Sequence, residues 1–291
     1  MSGAPHAVPR VRGSAASGLR IPERTIQLLR DLIVAQTGIH YDDARLDILR
    51  DRLVPLAVEH GFDSLLDYYY LLKYDAAAER EWLRVMDVLA VQETYFWRES
   101  DQLQALTTAI LPTLMQLRRS PIRIWSVPCA SGEEPLSIAM ALEEAGWFHR
   151  AVIEIHASDA SDAALARARQ RRYGPRSFRQ LPETLRDKYF TRDGNGDWVV
   201  APTLFARISS WTRMNLMQPA EAKALAGSDV IFCRNLFIYF TPAGVRDAAA
   251  RLANWMPSPG YLCVGSSESL LRTGCGLELQ DIGGAYVYVK A

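Results

Sequence analysis

From residue 121 onward the chain alternates short β-rich runs with stretches of helical periodicity. That alternation narrows the available architectures more than any other feature. Residues 122–127 read as a strand, followed by a helix over about 133–145. A second strand at 152–157 precedes a helix at 162–172, and a third at 230–233 precedes a helix at 242–256. Residues 261–265 and 286–289 supply further strands. Strand–helix–strand units close right-handed onto one sheet, so the pattern predicts an α/β fold with a mostly parallel, doubly wound sheet. Ligands in such sheets bind beyond the carboxyl ends of the strands, and the segments just after each strand are the places to look for chemistry. Residues 173–207 interrupt the alternation. There, Asp193-Gly194-Asn195-Gly196-Asp197 has strong turn chemistry between Tyr189-Phe190 and Trp198-Val199-Val200. This reads as an inserted hairpin, either structural filler or a partner-binding element.

The amino-terminal part reads differently. Residues 1–20 form a tail carrying Arg10, Arg12 and Arg20, no acids, and a Gly/Ser/Ala run at 13–18. It cannot bury enough apolar surface to offset its ordering entropy, and is expected to be a disordered extension or a basic docking arm. Residues 21–92 read as a small helical domain. Ile26, Leu29 and Ile33 fall at helical steps before Gly38, a C-cap candidate. Asp42 or Asp43 is placed to cap the next helix, whose stripe is Leu46, Leu49, Leu53 and Leu56. Asp63 or Ser64 opens a third helix with Leu65, Tyr69 and Leu72, and Trp82, Met86 and Leu89 mark a fourth. Residues 93–120 are expected to be a linker and a helix leading into a domain over 121–291.

Composition excludes several classes. Lys+Arg 33 against Asp+Glu 33 leaves no basic surplus for counterion-release binding to nucleic acid. No apolar run approaches the roughly 18 residues needed to cross a bilayer, and the start lacks a signal-peptide core. The four cysteines, Cys129, Cys233, Cys263 and Cys275, match no zinc spacing and read as reduced and structural. A cytoplasmic enzyme is the expectation.

Four stretches carry candidate chemistry. After the first strand, Pro128-Cys129-Ala130-Ser131-Gly132-Glu133-Glu134-Pro135 combines small residues with two carboxylates at a helix start. No Lys follows the glycine, so this is not a phosphate loop. The acids either face a cationic ligand or complement the helix dipole. Asp159, ending the second strand, either accepts ribose hydroxyls or caps the following helix. After the third strand, Cys233-Arg234-Asn235 puts a buried Arg over the presumed site. Its anionic partner is a substrate, a cofactor carboxylate or a structural acid. Finally, Gln92-Glu93-Thr94-Tyr95-Phe96-Trp97-Arg98 places aromatics beside Thr and Arg, as a lid or as core packing. No Ser-His-Asp order or HExxH is visible.

Together these stretches resemble the CheR family of chemotaxis receptor methyltransferases. The resemblance rests on Thr94-Tyr95-Phe96-Trp97-Arg98, Gly132-Glu133-Glu134-Pro135, Asp159, Cys233-Arg234-Asn235 with Ile238-Tyr239-Phe240, and the late 260–269 segment ending Ser267-Glu268-Ser269. It covers about residues 21–290. It implies a Rossmann-like S-adenosylmethionine-dependent methyltransferase domain with an inserted small β-subdomain, preceded by a helical domain. The implied activity esterifies glutamate side chains on methyl-accepting chemotaxis receptors, leaving S-adenosylhomocysteine. By the same resemblance, Gln92, Thr94 and Arg98 line the cofactor and active site, and Glu134 faces the cofactor's amino group. Asp159 takes the ribose, Asn215 and Leu216 lie near the adenine, and Cys233 and Arg234 close the pocket. Tyr239 lies beside the methyl path, and Arg98 orients the substrate carboxylate. The implied partners are receptor cytoplasmic helices and, in some relatives, a receptor C-terminal peptide on the β-subdomain. The chain is expected to act as a monomer. Four positions depart from the family pattern: Gln92 stands for Asn, Leu136 for Tyr, and Pro55-Leu56 follows Arg45, Arg50 and Arg52 where relatives can carry Arg. Pro55 also lacks a donor and is expected to kink its helix.

Overall fold

The structure, a computed structural model, describes residues 19–22, 24–91 and 93–291. Most of the expected tail, and Gln92, lie outside the described residues. The chain divides into two compact units, residues up to 32 with 41–88, and residues 33–40 with 89–291.

The smaller unit is helical, with the helices Leu46–Glu59 and Leu65–Tyr74, nearly all of Ala78–Leu89, and the part of Thr25–Thr37 up to residue 32. Leu49, Leu53, Leu65, Tyr68 and Val85 are wholly buried in it. Ser64 caps the third helix, its Oγ accepting from Leu66 N at 3.2 Å. Neither Asp42 nor Asp43 caps the second helix. Asp43–Arg45 forms a short 3-10 turn, and the Asp42 carboxylate accepts from Arg45 Nε at 3.1 Å instead. The Leu46–Glu59 helix runs without interruption through Pro55, which lies on its exposed side. One acid is buried here. Glu81 accepts from Tyr68 Oη at 2.7 Å and from Arg84 Nη1 at 3.2 Å, and meets His60 Nε2 at 2.8 Å. Arg20 joins this unit, bridging to Ser64.

The larger unit is built on a seven-stranded sheet. In chain order its strands and those of the insert are β1 (Ile122–Ser126), β2 (Ile153–Asp159), β3 (Arg172–Tyr173), β4 (Phe190–Arg192), β5 (Trp198–Val200), β6 (Ile208–Arg213), β7 (Val230–Cys233), β8 (Gly260–Val264), β9 (Glu278–Ile282) and β10 (Ala285–Lys290). The main sheet runs β6-β2-β1-β7-β8-β10-β9. β6, β2, β1, β7 and β8 pair in parallel, while β10 is antiparallel to both β8 and β9. Alternate side chains enter two cores. Ile124, Ile155 and Phe232 pack on one face, and Trp125, Ile231 and Leu262 on the other. Burial on both faces is the condition of a doubly wound sheet. Helices at Glu133–Glu144, Asp162–Gln170 and Pro242–Trp255 follow β1, β2 and β7. The helix after β2 stops at Gln170, two residues short of expectation, because Arg171 turns left-handed (φ 60°) as its cap.

The insert is a three-stranded antiparallel sheet, β3-β5-β4, closed by the Asp193–Asp197 turn. Phe96 pins it to the rest of the unit. The Phe96 ring is wholly buried, with centroids of Tyr173, Phe190 and Phe178 at 4.8, 4.9 and 5.2 Å. Phe96 is therefore core. The segment from Ser100 to Gln116 is helical, with a π-helical turn at Leu106–Ile110, where the Thr107 carbonyl accepts from Trp147 Nε1 at 2.9 Å.

Candidate active site

Strand order reverses between β1 and β7, with β2 and β6 on one side and β8 on the other. A crevice opens at such a switch point beyond the carboxyl ends. Beyond β1 and β7 lies a cleft open to solvent and lined by Thr94, Tyr95, Arg98, Glu134, Arg234 and Asn235, together with Glu93, Pro128 and Ala130.

The turn after β1 is fixed from β2. Cys129 N donates to Ser158 O at 2.8 Å, and Ala130 N to Asp159 Oδ2 at 2.9 Å. Ala130 is held left-handed at φ 46°, and Gly132 at φ 97° starts the next helix. Gly132 has no room for a side chain, because a Cβ there would approach the Trp211 ring to 2.9 Å and Ala168 to 3.2 Å. The two following acids divide their roles. Glu133 is buried, accepting from Ser131 Oγ at 2.7 Å and Ser177 Oγ at 2.9 Å, and burial raises its carboxyl above the ordinary value. It ties the insert to the turn. Glu134 lines the cleft, accepting from Ser126 Oγ at 2.6 Å and from Arg234 Nε at 2.6 Å.

Arg234 thus finds its anion within the protein. Its side chain is 2% exposed, its Nη1 donates to the Arg98 carbonyl at 2.7 Å, and Glu99 Oε2 lies 3.8 Å away. Burial opposes its charge, but the Glu134 carboxylate outweighs that and holds the guanidinium pKa above its usual value. The Arg98 side chain is placed differently. Its guanidinium sits 5.3 Å from the Tyr95 ring, Nη1 reaches the Glu93 carbonyl at 3.4 Å, and no ion pair to Arg98 forms among the described residues.

The remaining predicted residues scatter around this cleft. Asp159 ends β2, with Oδ1 accepting from Ser161 N at 2.9 Å. Ser161, not Asp159, caps the next helix, its Oγ accepting from Ala164 N. Met214 N donates to Asp159 O at 2.8 Å, which sets Asn215 and Leu216 beside that strand end. The Asn215 side chain is engaged, Nδ2 donating to Gln36 O and Oδ1 accepting from Met217 N, both at 2.9 Å. Leu216 is buried. Cys233 is wholly buried at the end of β7, and burial pushes its thiol well above the ordinary range, so it cannot supply a thiolate. Tyr239 does not line the cleft. It lies in the short Phe237–Tyr239 turn, where its carbonyl accepts from His40 N at 2.7 Å.

Glu268 had no role assigned from sequence, yet it organises the far rim. Its carboxylate accepts from Asn235 N at 2.8 Å, Gly265 N at 2.7 Å and Ile238 N at 3.2 Å, joining the loops after β7 and β8. Its position in Ser267-Glu268-Ser269 was the only signal available.

Comparison with known proteins adds to this geometry. Residues 92–278 match the family model for the CheR methyltransferase, SAM binding domain, and residues 24–90 match that for the CheR methyltransferase, all-alpha domain. The chain belongs to the CheR methyltransferase family. Among CheR relatives, "Chemotaxis protein methyltransferase 2" of Vibrio cholerae is 35% identical over 246 residues, covering 84% of each chain. "Chemotaxis protein methyltransferase 1" of Pseudomonas aeruginosa is 30% identical, covering 84% of this chain and 89% of the relative. "Probable biofilm formation methyltransferase WspC" of Pseudomonas putida is 31% identical over 92% of this chain and 61% of its own length. S-adenosylmethionine is the cofactor of this domain, and the donor set of the cleft fits it. That molecule carries an ammonium and a sulfonium as well as a carboxylate, and the cleft lining holds groups of both signs, Glu134 and Glu93 with Arg98 and Arg234. Among the described residues no helix is long and apolar enough to cross a membrane, and no cluster of side chains forms a metal site.

Proposed function

We propose that this CheR protein is a protein-glutamate O-methyltransferase acting on the cytoplasmic helices of methyl-accepting chemotaxis receptors. The reading is carried by one observation: among the described residues no carboxylate pairs with Arg98, a cationic side chain standing in the cleft, and none of those lining the cleft is a histidine, lysine or cysteine. A glutamate carboxylate, with ordinary pKa about 4.3, is ionised at neutral pH and needs no base before it accepts a methyl group. S-adenosylmethionine supplies that methyl on a positively charged sulfur. What remains for the protein is to orient the acceptor and balance charge.

In this reading Arg98 grips the incoming carboxylate in a two-pronged hydrogen bond. Glu134, held by Ser126 and Arg234, faces the cofactor's amino group, and Thr94 lines the same wall. Asp159 receives the ribose hydroxyls, with Asn215 and Leu216 beside the adenine. Cys233 and Arg234 close the floor. The inserted sheet exposes β4 and β3 as edges, and a receptor C-terminal peptide would dock there by strand addition.

A second acceptor, a protein other than a chemotaxis receptor, is favoured by one feature. Arg45 and Arg50 on the amino-terminal helices, which would meet an acidic receptor, are already paired with Asp42 (3.1 Å) and Asp47 (2.8 Å). Incubation with labelled S-adenosylmethionine and a receptor cytoplasmic fragment separates the readings. Alkali-labile label on the fragment supports the first. Unlabelled receptor despite cofactor binding supports the second, and label stable to mild base rules out ester formation altogether.

A further inference from the structure

The charge of this neutral chain is unevenly placed. Residues 163–182 contain six arginines (167, 169, 171, 172, 176 and 179) and no acid. By contrast, residues 42–52 hold three arginines and four aspartates. Five of the six arginines are exposed and Arg171 is half-buried. Arg172 pairs with Asp193, and Arg179 with Glu93 at 3.2 Å. Arg169, Arg171 and Arg176 form no ion pair among the described residues, and Arg167 forms none either, although it lies near enough to Glu133 to act on that carboxyl.

These residues flank the cleft. The Arg179 guanidinium lies 3.7 Å from the centroid of Tyr95, a lining residue. Ser177, next to Arg176, accepts from Phe96 N at 2.8 Å and donates to Glu133 at 2.9 Å. The helix carrying Arg167 and Arg169 packs Ala168 against Gly132, where a Cβ would come within 3.2 Å. Arg179 therefore stands at the cleft itself and Arg167 and Arg176 lie on the side of the Gly132-Glu133-Glu134 turn, while the Arg169 guanidinium donates to the Trp211 carbonyl at 2.9 Å and that of Arg171 lies 5.6 Å from the Phe205 ring.

We propose that this arginine face docks an acidic segment of the protein substrate adjoining the glutamate presented to the cleft. The proposal rests on the glutamate-acceptor reading above and names a second contact for that substrate. One exposed ion pair contributes little. Six arginines on one stretch, four of them outside any ion pair among the described residues, act together, drawing an acidic chain by a field that weakens with ionic strength. The guanidinium fork matches a carboxylate in two hydrogen bonds.

The test uses the full chain and a fluorescent synthetic peptide rich in glutamate, its glutamine counterpart, and an RNA duplex, read by anisotropy at two ionic strengths. The unmodified protein should bind the glutamate peptide about tenfold tighter than the glutamine peptide, a difference that shrinks with salt. Arg167→Glu with Arg176→Glu should remove that preference, Arg167→Lys with Arg176→Lys should retain most of it, and S-adenosylhomocysteine affinity should hold in both. The single Arg176→Glu variant, tested alongside, should show part of the loss if the pair fails to fold. Equal binding of the two peptides, or a preference untouched by charge reversal, overturns the proposal. So does tighter binding of the RNA duplex, which would make the face a phosphate-binding surface. Peptide binding that persists while the receptor fragment takes no alkali-labile label defeats the acceptor chemistry and leaves this surface standing.

Discussion

The pair formed by Glu134 and Arg234 offers the sharpest test of how the cleft is held. Both side chains are withdrawn from water, 10% and 2% exposed, and meet at 2.6 Å. Arg234→Met removes the cation, leaving Glu134 with only the Ser126 hydroxyl and the Arg98 carbonyl without its donor. Removing one partner of a buried pair costs about 3–5 kcal/mol. For a unit of this size that corresponds to a fall in Tm of roughly 6–20 °C. Glu134→Gln should cost less, near the lower end, because Glu99 Oε2 is already 3.8 Å from Arg234 Nη1 and can take up the charge. The double variant Glu134→Gln/Arg234→Met should fall short of the sum of the singles by about 1–3 kcal/mol, since an apolar side chain facing an amide leaves no bare charge. Differential scanning calorimetry at pH 7 reads all three, and the shift belongs to the transition of the larger unit. Strictly additive losses, or an Arg234→Met protein melting within about 1 °C of the parent, would refute the view that this pair holds the turn after β1 to the loop after β7.

Three further outcomes follow from the same geometry. Arg98→Ala should lower kcat on a receptor fragment by about 100-fold or more while S-adenosylhomocysteine affinity changes much less; an unchanged rate removes Arg98 from the chemistry. Asp159→Ala should weaken S-adenosylhomocysteine binding by about 1–3 kcal/mol in calorimetric titration, through lost acceptors and a loosened Ala130 turn, and unchanged affinity would place the ribose elsewhere. Burial raises the Glu268 carboxyl above its ordinary 4.5, so the folded chain binds that proton more tightly than the unfolded one. Its contribution is full below pH 4.5 and declines as pH rises through the raised value. Tm of Glu268→Gln should decline less steeply than the parent's just above pH 4.5, and equal slopes would exclude Glu268 as the cause.

Central strands were legible because both their faces are buried, so β7 and β8 read as apolar runs. The edge strands β6 and β9 were not foreseen. β6 reads Ile-Ser-Ser-Trp-Thr-Arg and β9 is almost wholly exposed, since an edge strand with one wet face need not be apolar. The site shows a similar division. Thr94, Arg98 and Glu134 announced themselves by residue type at a strand or linker end. That Arg234 would be neutralised by Glu134, 100 positions away, could not be read from either segment, because each offered several anions. Phe96 was legible only as an aromatic beside polar groups; its burial depends on Tyr173, Phe178 and Phe190 arriving from an insert whose packing no local pattern encodes.

The backbone around the cleft is held at several points, whereas the Arg98 guanidinium within it forms no ion pair among the described residues. Trp97, Glu99, Ala130 and Asn235 all adopt left-handed conformations around it, at φ 66°, 51°, 46° and 59°. Each costs of order 1–3 kcal/mol for a residue other than glycine and persists only where neighbours impose it. Those neighbours are identifiable. Phe96 N is held by Ser177 O, Trp97 N by Ser137 Oγ, and the Arg98 carbonyl by Arg234. Asn235 N is held by Glu268, and Ala130 N by Asp159. Three consecutive residues ending at Arg98 are thus fixed through their main chain, while the Arg98 guanidinium has a long contact to the Glu93 carbonyl and lies 5.3 Å from the Tyr95 ring. A substrate carboxylate entering the cleft would meet a cation whose base cannot move and whose tip can, which is the division needed to capture an acid in one orientation without rebuilding the pocket.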